Sequence, residues 1–370
     1  MRKKILFIHE CLRGGGAEKV LVDILNNFDF QKYEVSLILL DSEGVYNDKI
    51  TSNVTISYLT SPKELIMLGY LQKYKLWFLA DSFLKRRLLK VIGDTKFDTC
   101  ISFMEGISTR CHNLILTNIK KNISWVHTDL SLNNWCLSSF RSLAEQSSIY
   151  LKMDQIVVVS DGANESFKKI FPNANSQVIY NLIDERQIRE KAKAKLFVKR
   201  RFTVCSVGRL IDLKRQDRII DVADLCKTRG LDIDFIILGQ GPLFDTLKSS
   251  IKKRNLEDNV HLLGFQSNPY AFINSSDVFL LTSDSEGYPL VVCESLCLGK
   301  PIISTDVTGP HELLRGGYGI LTTKDTKDIF AAIKSLYDDN DKLLYYSGMS
   351  IEKSKIFDIQ KQMFDIYQIL

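Results

Sequence analysis

The chain has 370 residues, of which 45% are apolar and 25% carry a charge; this length and composition exclude a disordered chain and favour two globular domains. The formal net charge of +5 equals that of residues 61–93 alone, where seven Lys/Arg stand against two Asp/Glu. A nucleic-acid-binding protein is more often basic over a whole domain, so this class is not favoured.

The first half of the chain alternates short apolar runs with helical segments. A strand is predicted at Ile5–His9, GGGAEKVLVDILNNF follows as a glycine loop and a helix, and a second strand covers Glu34–Leu40. This order predicts a βαβ unit with parallel strands. Further apolar runs predict strands at Thr99–Phe103, Asn122–His127, Gln155–Ser160 and Ser176–Asn181.

A charged segment at 185–201, with eight Lys/Arg and two Asp/Glu, predicts a solvated connection or helix. The βαβ pattern then restarts, with strands in FTVCSVGRL, DFIILGQGP, VHLLGF, DVFLLTS and KPIISTD and a helix at 215–229. The predicted fold class is α/β with two doubly wound domains, one at 1–185 plus a C-terminal helix at about 353–370, the other at 186–352. Ligands in such domains bind at the carboxyl ends of the strands.

Cysteine usage and hydropathy predict the compartment. The eight cysteines form no CxxC pair or zinc-type cluster, and Cys293 and Cys297 lie in an apolar run that favours burial. Unpaired cysteines fit a reducing compartment. The first apolar run, ILFI, is too short for a signal peptide, and no run approaches the roughly 20 residues of a membrane span. We expect a cytoplasmic protein, either free or peripheral on the inner face of the cell membrane.

The first motif is GGGAEK, residues Gly14–Lys19. It follows a strand and opens a helix, so its backbone N–H groups can hold an anion. It is neither G-x-G-x-x-G nor a P-loop, which gives little support to a dinucleotide or ATP site. The alternative is a tight strand–helix turn without a ligand.

Two further motifs follow strands of the second domain. In SVGRLIDLKRQD, Arg209 and Lys214 reach one diphosphate if the loop returns on itself; otherwise they are surface charges. In LGQGPL, Gly239 and Gly241 either belong to the same site or only make a turn.

In EGYPLVVCES, Glu286 lies in a loop, Pro289 suits the first helical position, and Glu294 lies inside a helix predicted at Leu290–Leu298 and stopped by Gly299. On a continuous helix the two carboxylates would lie roughly 12 Å apart along the axis. A glycosidase pair lies about 5–9.5 Å apart. The spacing therefore favours two carboxylates that hold different parts of one elongated ligand, the alternative being ordinary helix-end charges.

Taken in order, GGAEK, GRLIDLK, GQGP, E-x7-E and GKPIISTDVTGP resemble the motifs of the retaining glycosyltransferases of family 4. The resemblance extends over nearly the whole chain. It implies the GT-B fold, with two Rossmann-like domains facing each other across a cleft, and a hexosyltransferase that retains the anomeric configuration. No D-x-D motif stands at a strand end, so we expect no cofactor and no metal; the cations and helix N-termini would stabilise the departing nucleotide diphosphate.

The resemblance also implies roles for residues at matching positions. Gly15 and Gly16 approach the donor phosphate, Arg209 and Lys214 bind the diphosphate, and Glu294 accepts hydrogen bonds from the ribose. Glu286 faces the donor sugar and the distal phosphate. Asn181 is followed by Leu182, where the family usually has glycine. The predicted catalytic residues are His127, Glu286, Arg209 and Lys214. The predicted donor-binding residues are Gly15, Gly16, Ser160, Asn181, Arg209, Lys214, Gly239, Gly241, Glu286, Gly287, Tyr288, Pro289, Leu290 and Glu294.

The implied partners are a nucleotide diphosphate sugar, with uridine favoured on family frequency alone, and a saccharide or polyprenyl-diphosphate-linked acceptor, as in capsule or exopolysaccharide assembly. Residues 62–93 mix Leu, Trp, Phe and Tyr with cations, which predicts a peripheral contact with an anionic membrane. The alternative for this segment is a core helix with a solvated charged face. Two other functions stay open: a non-transferring sugar-nucleotide enzyme, such as an epimerase, and a catalytically silent sugar-nucleotide-binding scaffold.

Overall fold

The computed structural model describes residues 2–132, 134–194 and 201–370. It divides into two compact units: Met1–Leu182 with Ile359–Leu370, here the N-terminal unit, and Ile183–Asp358, here the C-terminal unit. The sequence prediction placed these boundaries at 185 and near 353. The charged segment forms a helix at Glu185–Ala192, and its residues 195–200 lie outside the described part of the chain.

The N-terminal unit contains a seven-stranded parallel sheet in the order β3-β2-β1-β4-β5-β6-β7. Its strands are β1 (Lys3–His9), β2 (Tyr33–Leu39), β3 (Val54–Tyr58), β4 (Phe97–Ser102), β5 (Ile119–Val126), β6 (Gln155–Val158) and β7 (Ser176–Val178). Its first six helices are α1 (Gly16–Asn26), α2 (Pro62–Lys73), α3 (Trp77–Ile92), α4 (Ile107–Asn113), α5 (Leu143–Tyr150) and α6 (Asp161–Ile170). Four successive residues of β1, Ile5–Ile8, are fully buried, as expected for a parallel strand with both faces covered.

The C-terminal unit contains a six-stranded parallel sheet in the order β10-β9-β8-β11-β12-β13. Its strands are β8 (Phe202–Val207), β9 (Ile233–Leu238), β10 (Val260–Gly264), β11 (Val278–Leu281), β12 (Ile302–Thr305) and β13 (Ile320–Thr322). Its helices are α7 (Glu185–Ala192), α8 (Gln216–Thr228), α9 (Phe244–Lys253), α10 (Pro269–Ser275), α11 (Leu290–Cys297), α12 (Thr308–Leu314), α13 (Thr326–Asp338) and α14 (Asn340–Ser354). The predicted α/β class with two doubly wound sheets is confirmed.

The order of each sheet defines where a ligand is expected. The strand order reverses between β1 and β4 in one sheet and between β8 and β11 in the other. Ligands of doubly wound sheets bind outside the carboxyl ends of the strands at this switch point. The loops that follow these four strands are therefore the first place to look for a site.

The last helix, α15 (Ile359–Gln368), belongs to the N-terminal unit. The ring of Tyr367 stacks on that of Tyr33 with 5.1 Å between centroids, and its hydroxyl accepts a hydrogen bond from Asp29 N at 2.8 Å. Lys3 Nζ donates to the carbonyl of Leu370 at 3.4 Å. The end of the chain is thus attached to the region of β1, α1 and β2.

Among the described helices, none combines the length and the apolar character needed to cross a membrane.

Candidate active site

Two loops at the switch point of the C-terminal sheet are joined by an ion pair. Lys214, after β8, donates from Nζ to Oε1 of Glu286, after β11, at 2.5 Å, and Ser283 Oγ donates to the same oxygen at 2.6 Å. The side chains of Lys214 and Glu286 are only 20% and 9% exposed, so solvent screens the pair weakly. The structure therefore joins two residues that the sequence prediction assigned to different parts of the ligand.

Arg209 lies in the same loop as Lys214 and is exposed. The loop does return on itself, because a Cβ placed on Gly208 would lie 4.0 Å from Lys214 Cγ. Arg209 makes no ion pair or side-chain hydrogen bond within the described residues. A guanidinium with open donors, in the same loop as an ammonium, suits a diphosphate.

A second set of ion pairs holds these two loops together. Arg215, in the left-handed conformation at φ 50°, lies 3.3 Å from Asp284, and Arg218 lies 2.8 Å from the other oxygen of Asp284. Arg218 also donates to the carbonyl of Thr282 at 2.8 Å, and Asp284 N donates to Leu213 O at 2.8 Å. Burial acts to raise the pKa of Asp284, but the hydrogen bonds and charges of Arg218, Arg215 and Lys324 together outweigh it and the pKa is lowered. Asp284 therefore remains an anion that fixes the loop of Lys214 against that of Glu286.

The glycines of LGQGPL position the Arg209 loop. A Cβ on Gly239 would lie 1.8 Å from Gly208 O, and one on Gly241 would lie 2.3 Å from Leu210 O. Only glycine permits this approach of two backbones. The two glycines therefore allow the Arg209 loop to pack against the loop after β9, and their contact with the donor stays a prediction.

Helix α11 differs in detail from its prediction. Pro289 was expected in the first helical position, but its ψ of 105° is extended, and it precedes the helix as the N-cap residue. The helix ends at Cys297, one residue before the predicted Leu298. Gly299 follows at φ +64° and ends it as expected. Glu294 lies inside the helix, is 4% exposed, and accepts a hydrogen bond from Tyr270 Oη at 3.1 Å.

The segment from Glu286 to Leu290 rests on α12. Gly309 N donates to Glu286 O at 3.0 Å. A Cβ on Gly309 would lie 2.6 Å from Gly287 O and 2.7 Å from Pro289 Cδ. Tyr288 and Leu290 are buried, so the backbone of this segment remains for the predicted contact with a donor.

The start of α1 already binds a carboxylate. Gly15 is the N-cap residue and Gly16 opens the helix. Gly14 N and Gly15 N donate to Glu18 Oε2 at 2.5 and 3.0 Å, as in a capping box. A phosphate at the predicted Gly15–Gly16 site would have to displace this carboxylate or bind beside it.

His127 follows β5 in the N-terminal unit. Both of its ring nitrogens are buried and have no hydrogen-bond partner within the described residues. Burial is the main cause that lowers the pKa of His127 to about 3, and charge on the nearby His9 lowers it further. An interaction with the backbone of Phe103 raises the pKa, but by less than these two effects lower it. His127 is therefore a neutral imidazole, available to a ligand.

The other predicted residues of this unit have partners of their own. Ser160 is the N-cap of α6 and accepts a hydrogen bond from Ala163 N at 3.2 Å. The carbonyl of Asn181 accepts one from Gln362 Nε2 of α15 at 2.9 Å, whereas its side-chain Oδ1 is buried without a partner among the described residues. Ser160 thus has a structural role, and the side chain of Asn181 retains an acceptor.

Comparison with known proteins decides the family. Residues 187–348 match the family model for glycosyl transferases group 1. The chain is 31% identical, over 97% of its length and 96% of the relative's, to the N-acetylgalactosamine-N,N'-diacetylbacillosaminyl-diphospho-undecaprenol 4-alpha-N-acetylgalactosaminyltransferase of Campylobacter jejuni. The chain belongs to the group 1 glycosyltransferases.

Solved structures agree with this assignment. Anabaena HepE in complex with UDP and glucose matches with a TM-score of 0.79 and 19% identity over 99% of both chains. Sucrose-phosphate synthase from Thermosynechococcus elongatus matches with a TM-score of 0.81 and 13% identity over 100% of this chain and 98% of the other. This glycosyltransferase has the GT-B fold, as predicted.

Two residues of this glycosyltransferase were not singled out from the sequence. Glu105, 1% exposed, accepts hydrogen bonds from His127 N at 2.9 Å and from Thr128 Oγ1 at 2.7 Å. Burial raises the pKa of its carboxyl group. The second is His9, which ends β1. The available signal was their position: Glu105 lies two residues after a predicted strand, and His9 ends one.

No group of three or more His, Cys, Asp or Glu side chains in the described part of the glycosyltransferase is placed to hold a metal. All eight cysteines are free and buried, which confirms the expectation for Cys293 and Cys297.

Proposed function

We propose that this glycosyltransferase moves a hexosyl group from a UDP-sugar to a saccharide carried on polyprenyl diphosphate, with retention of anomeric configuration and without a metal. The observation that carries the proposal is the Lys214–Glu286 ion pair beside the exposed Arg209, at the switch point of the C-terminal sheet. These two cations would bind the donor diphosphate. As the bond from the sugar to the diphosphate breaks, negative charge grows on the departing oxygen, which is where fixed cations lower the barrier.

The choice of UDP is supported by the comparison structures. Anabaena HepE, which has the same fold, was solved with UDP and glucose. Lys214 would exchange part of its contact with Glu286 for phosphate, and Glu286 would turn to hydroxyl groups of the sugar. Guanine and adenine are the alternative bases, and the donor panel below distinguishes them from uracil.

The lipid-linked acceptor is supported by the Campylobacter relative, whose name specifies a diphospho-undecaprenol saccharide. It is also supported by the surface of α2 and α3. Large apolar side chains are exposed there: Ile66 63%, Tyr70 58%, Tyr74 67%, Phe78 76% and Leu79 52%. Apolar side chains at such exposure are a marker of an interaction surface.

The charges on this surface complete the argument. Arg87 of α3 binds Glu64 of α2 at 2.6 Å, and Asp81 binds the buried Arg110 at 2.8 Å. Both acidic residues of the segment are therefore neutralised. Six further cations make no ion pair within the described residues: Lys63, Lys73, Lys75, Lys85, Arg86 and Lys90. Exposed apolar groups among unpaired cations suit an anionic membrane, at about 1 kcal/mol per well-placed cation.

The proposal is tested with the purified chain, a panel of UDP-, GDP- and ADP-sugars, and undecaprenyl-diphosphate-linked saccharides. We expect UDP release that depends on the lipid-linked saccharide, together with an alpha-linked product from an alpha-linked donor. Lys214→Met should lose most of this turnover, whereas Lys252→Met, an exposed lysine of α9, should retain it. Conversion of the sugar nucleotide without an acceptor would instead indicate an epimerase-like enzyme. Binding of UDP without turnover of any donor and acceptor pair would indicate a silent scaffold.

A further inference from the structure

His9 ends β1 at the switch point of the N-terminal sheet. It is 1% exposed, and its ring lies 6.3 Å from the ring of Phe103, centroid to centroid. Phe103 follows β4, the neighbour of β1, and lies 4.8 Å from the ring of His127, which follows β5. Two imidazoles thus flank one aromatic ring at the carboxyl ends of three adjacent strands.

The ring nitrogens of these two histidines lack side-chain hydrogen-bond partners. Nδ1 of His9 and both ring nitrogens of His127 are buried, and no side chain among the described residues pairs with them. The backbone of Phe103 lies close enough to both rings to raise their pKa values slightly against the effect of burial, but one backbone group cannot satisfy all of these nitrogens. Buried polar atoms in folded proteins almost always have a partner, so an exception needs an explanation, and at the carboxyl edge of a doubly wound sheet a ligand supplies one.

A third buried histidine shows the difference. His112 of α4 is fully buried, but one ring nitrogen lies 3.2 Å from Ser102 Oγ and the other 3.0 Å from Asn122 Oδ1. His112 is therefore satisfied by the protein itself. Burial alone does not leave a histidine without partners in this unit; the unmet nitrogens belong to the two histidines at the carboxyl edge.

The charge state of the pair fits an uncharged ligand. Burial lowers the pKa of His9 to about 4 and that of His127 to about 3, so both are neutral at pH 7. The nearby carboxylate of Glu105 binds His127 N, Thr128 and Trp135 rather than either ring. A neutral imidazole offers one donor and one acceptor, which matches a hydroxyl group.

We propose that His9 joins His127 in a pair of neutral imidazoles that hydrogen-bonds the hydroxyl groups of a pyranose. The assignment rests on the proposed function, because it takes the ligand to be a saccharide of the transfer reaction. The donor sugar and the acceptor saccharide share this chemistry, and the experiment separates them.

The first test is kinetic. His9→Phe keeps a ring and removes both nitrogens; we expect it to lower kcat/KM at least about tenfold, the loss for one hydrogen bond to the substrate. His9→Gln, which restores a donor and an acceptor, should recover part of this loss. His112→Gln is the matched control, buried in the same unit, and should lower thermal stability but keep the kcat/KM of the folded enzyme. A rise in KM for only one substrate identifies which saccharide is bound.

The second test does not need turnover. The full chain is labelled with ¹⁵N-histidine, and the His9 ring resonances are assigned by their loss in His9→Phe. If the pair binds the donor sugar, these resonances should shift with UDP-glucose or UDP-N-acetylgalactosamine but not with UDP. If it binds the acceptor, they should shift with the acceptor saccharide alone. The His112 resonances should stay. A shift in a chain that transfers no sugar would support the histidine pair and refute the proposed function. No His9 shift with any of these saccharides, together with an unchanged kcat/KM in His9→Phe wherever the wild type turns over, would overturn the assignment.

Discussion

Lys214 and Glu286 meet at 2.5 Å although 72 residues separate them in the chain. Removing either partner should lower the stability of the folded chain, because the other is left as a largely desolvated charge without its counter-ion. We expect Lys214→Met and Glu286→Gln each to destabilise the chain by about 1–3 kcal/mol, and the double variant to cost less than the sum. Urea unfolding of the four proteins gives the coupling energy. Glu352→Gln, which removes an exposed partner of Lys355, is the control; additivity of the two site variants would mean that the ion pair contributes nothing.

Gly309 gives a second prediction. Its missing side chain makes room for Gly287 O and Pro289 Cδ, so Gly309→Ala should push the Glu286 segment out of place. We expect a loss of about 1–3 kcal/mol in stability and weaker binding of UDP by calorimetry. Gly348→Ala is the matched control, because a Cβ there meets nothing within 4 Å in the interior of α14; it should be neutral or stabilising by up to about 1 kcal/mol. Unchanged UDP affinity in Gly309→Ala would show that the Glu286 segment does not contribute to donor binding.

Glu18 tests the predicted Gly15–Gly16 contact. Its carboxylate occupies the N–H groups of Gly14 and Gly15, so a donor phosphate at this helix start must compete with it. Glu18→Gln removes the negative charge and keeps an acceptor oxygen. If the phosphate binds there, the KM for the donor falls; if the KM stays the same while the enzyme remains folded, the phosphate does not approach α1.

The α2–α3 surface predicts binding to anionic lipid. Reversal of two unpaired cations, Lys85→Glu with Arg86→Glu, should abolish sedimentation with phosphatidylglycerol vesicles and leave turnover of a water-soluble acceptor unchanged. Phe78→Ser should weaken sedimentation without a change in charge. The control is Lys252→Glu with Lys253→Glu, two exposed lysines of α9, which changes the net charge by the same amount outside the α2–α3 surface. Equal loss in both charge variants would mean a dependence on net charge alone.

The buried histidines predict a loss of stability in acid. Burial lowers the pKa values of His9 and His112 to about 4 and that of His127 to about 3, from an ordinary value of 6.5. As the pH falls from 6.5 to about 4, the unfolded chain binds protons that the folded chain does not, so stability falls by up to about 1.4 kcal/mol per pH unit for each histidine. Urea midpoints at pH 7, 6 and 5 measure this slope. His9→Phe should make it shallower, and an identical slope would show that His9 is not held neutral.

The sequence predicted the central strands well but only two of the four edge strands, β7 and β10. β1 reads as an apolar run because both of its faces are buried. The edge strands Val54–Tyr58 and Ile320–Thr322 were missed, since edge strands that are only partly buried need no continuous apolar run. Helices α8 and α11 lie within one residue of their predicted bounds, whereas α15 begins six residues after the predicted start at about 353.

The loops that form the site could be predicted from the sequence, but the contacts between their side chains could not. Strand ends pointed to Arg209, Lys214, Glu286 and His127. Nothing local could show that Lys214 pairs with Glu286, since that contact depends on the register of two distant loops. His9 ends a predicted strand and His112 does not, but only their neighbours in the folded chain show which imidazole has side-chain partners and which has none.

The attachment of α15 to the N-terminal unit has a consequence for biosynthesis. The ribosome makes β1 before α15, and the whole C-terminal unit lies between them in the chain. The C-terminal unit is continuous in the chain and can fold while translation proceeds, whereas Tyr367 can cover Tyr33 only after α15 has been made. Removal of α15 therefore acts on the N-terminal unit, whose other elements are translated before the C-terminal unit.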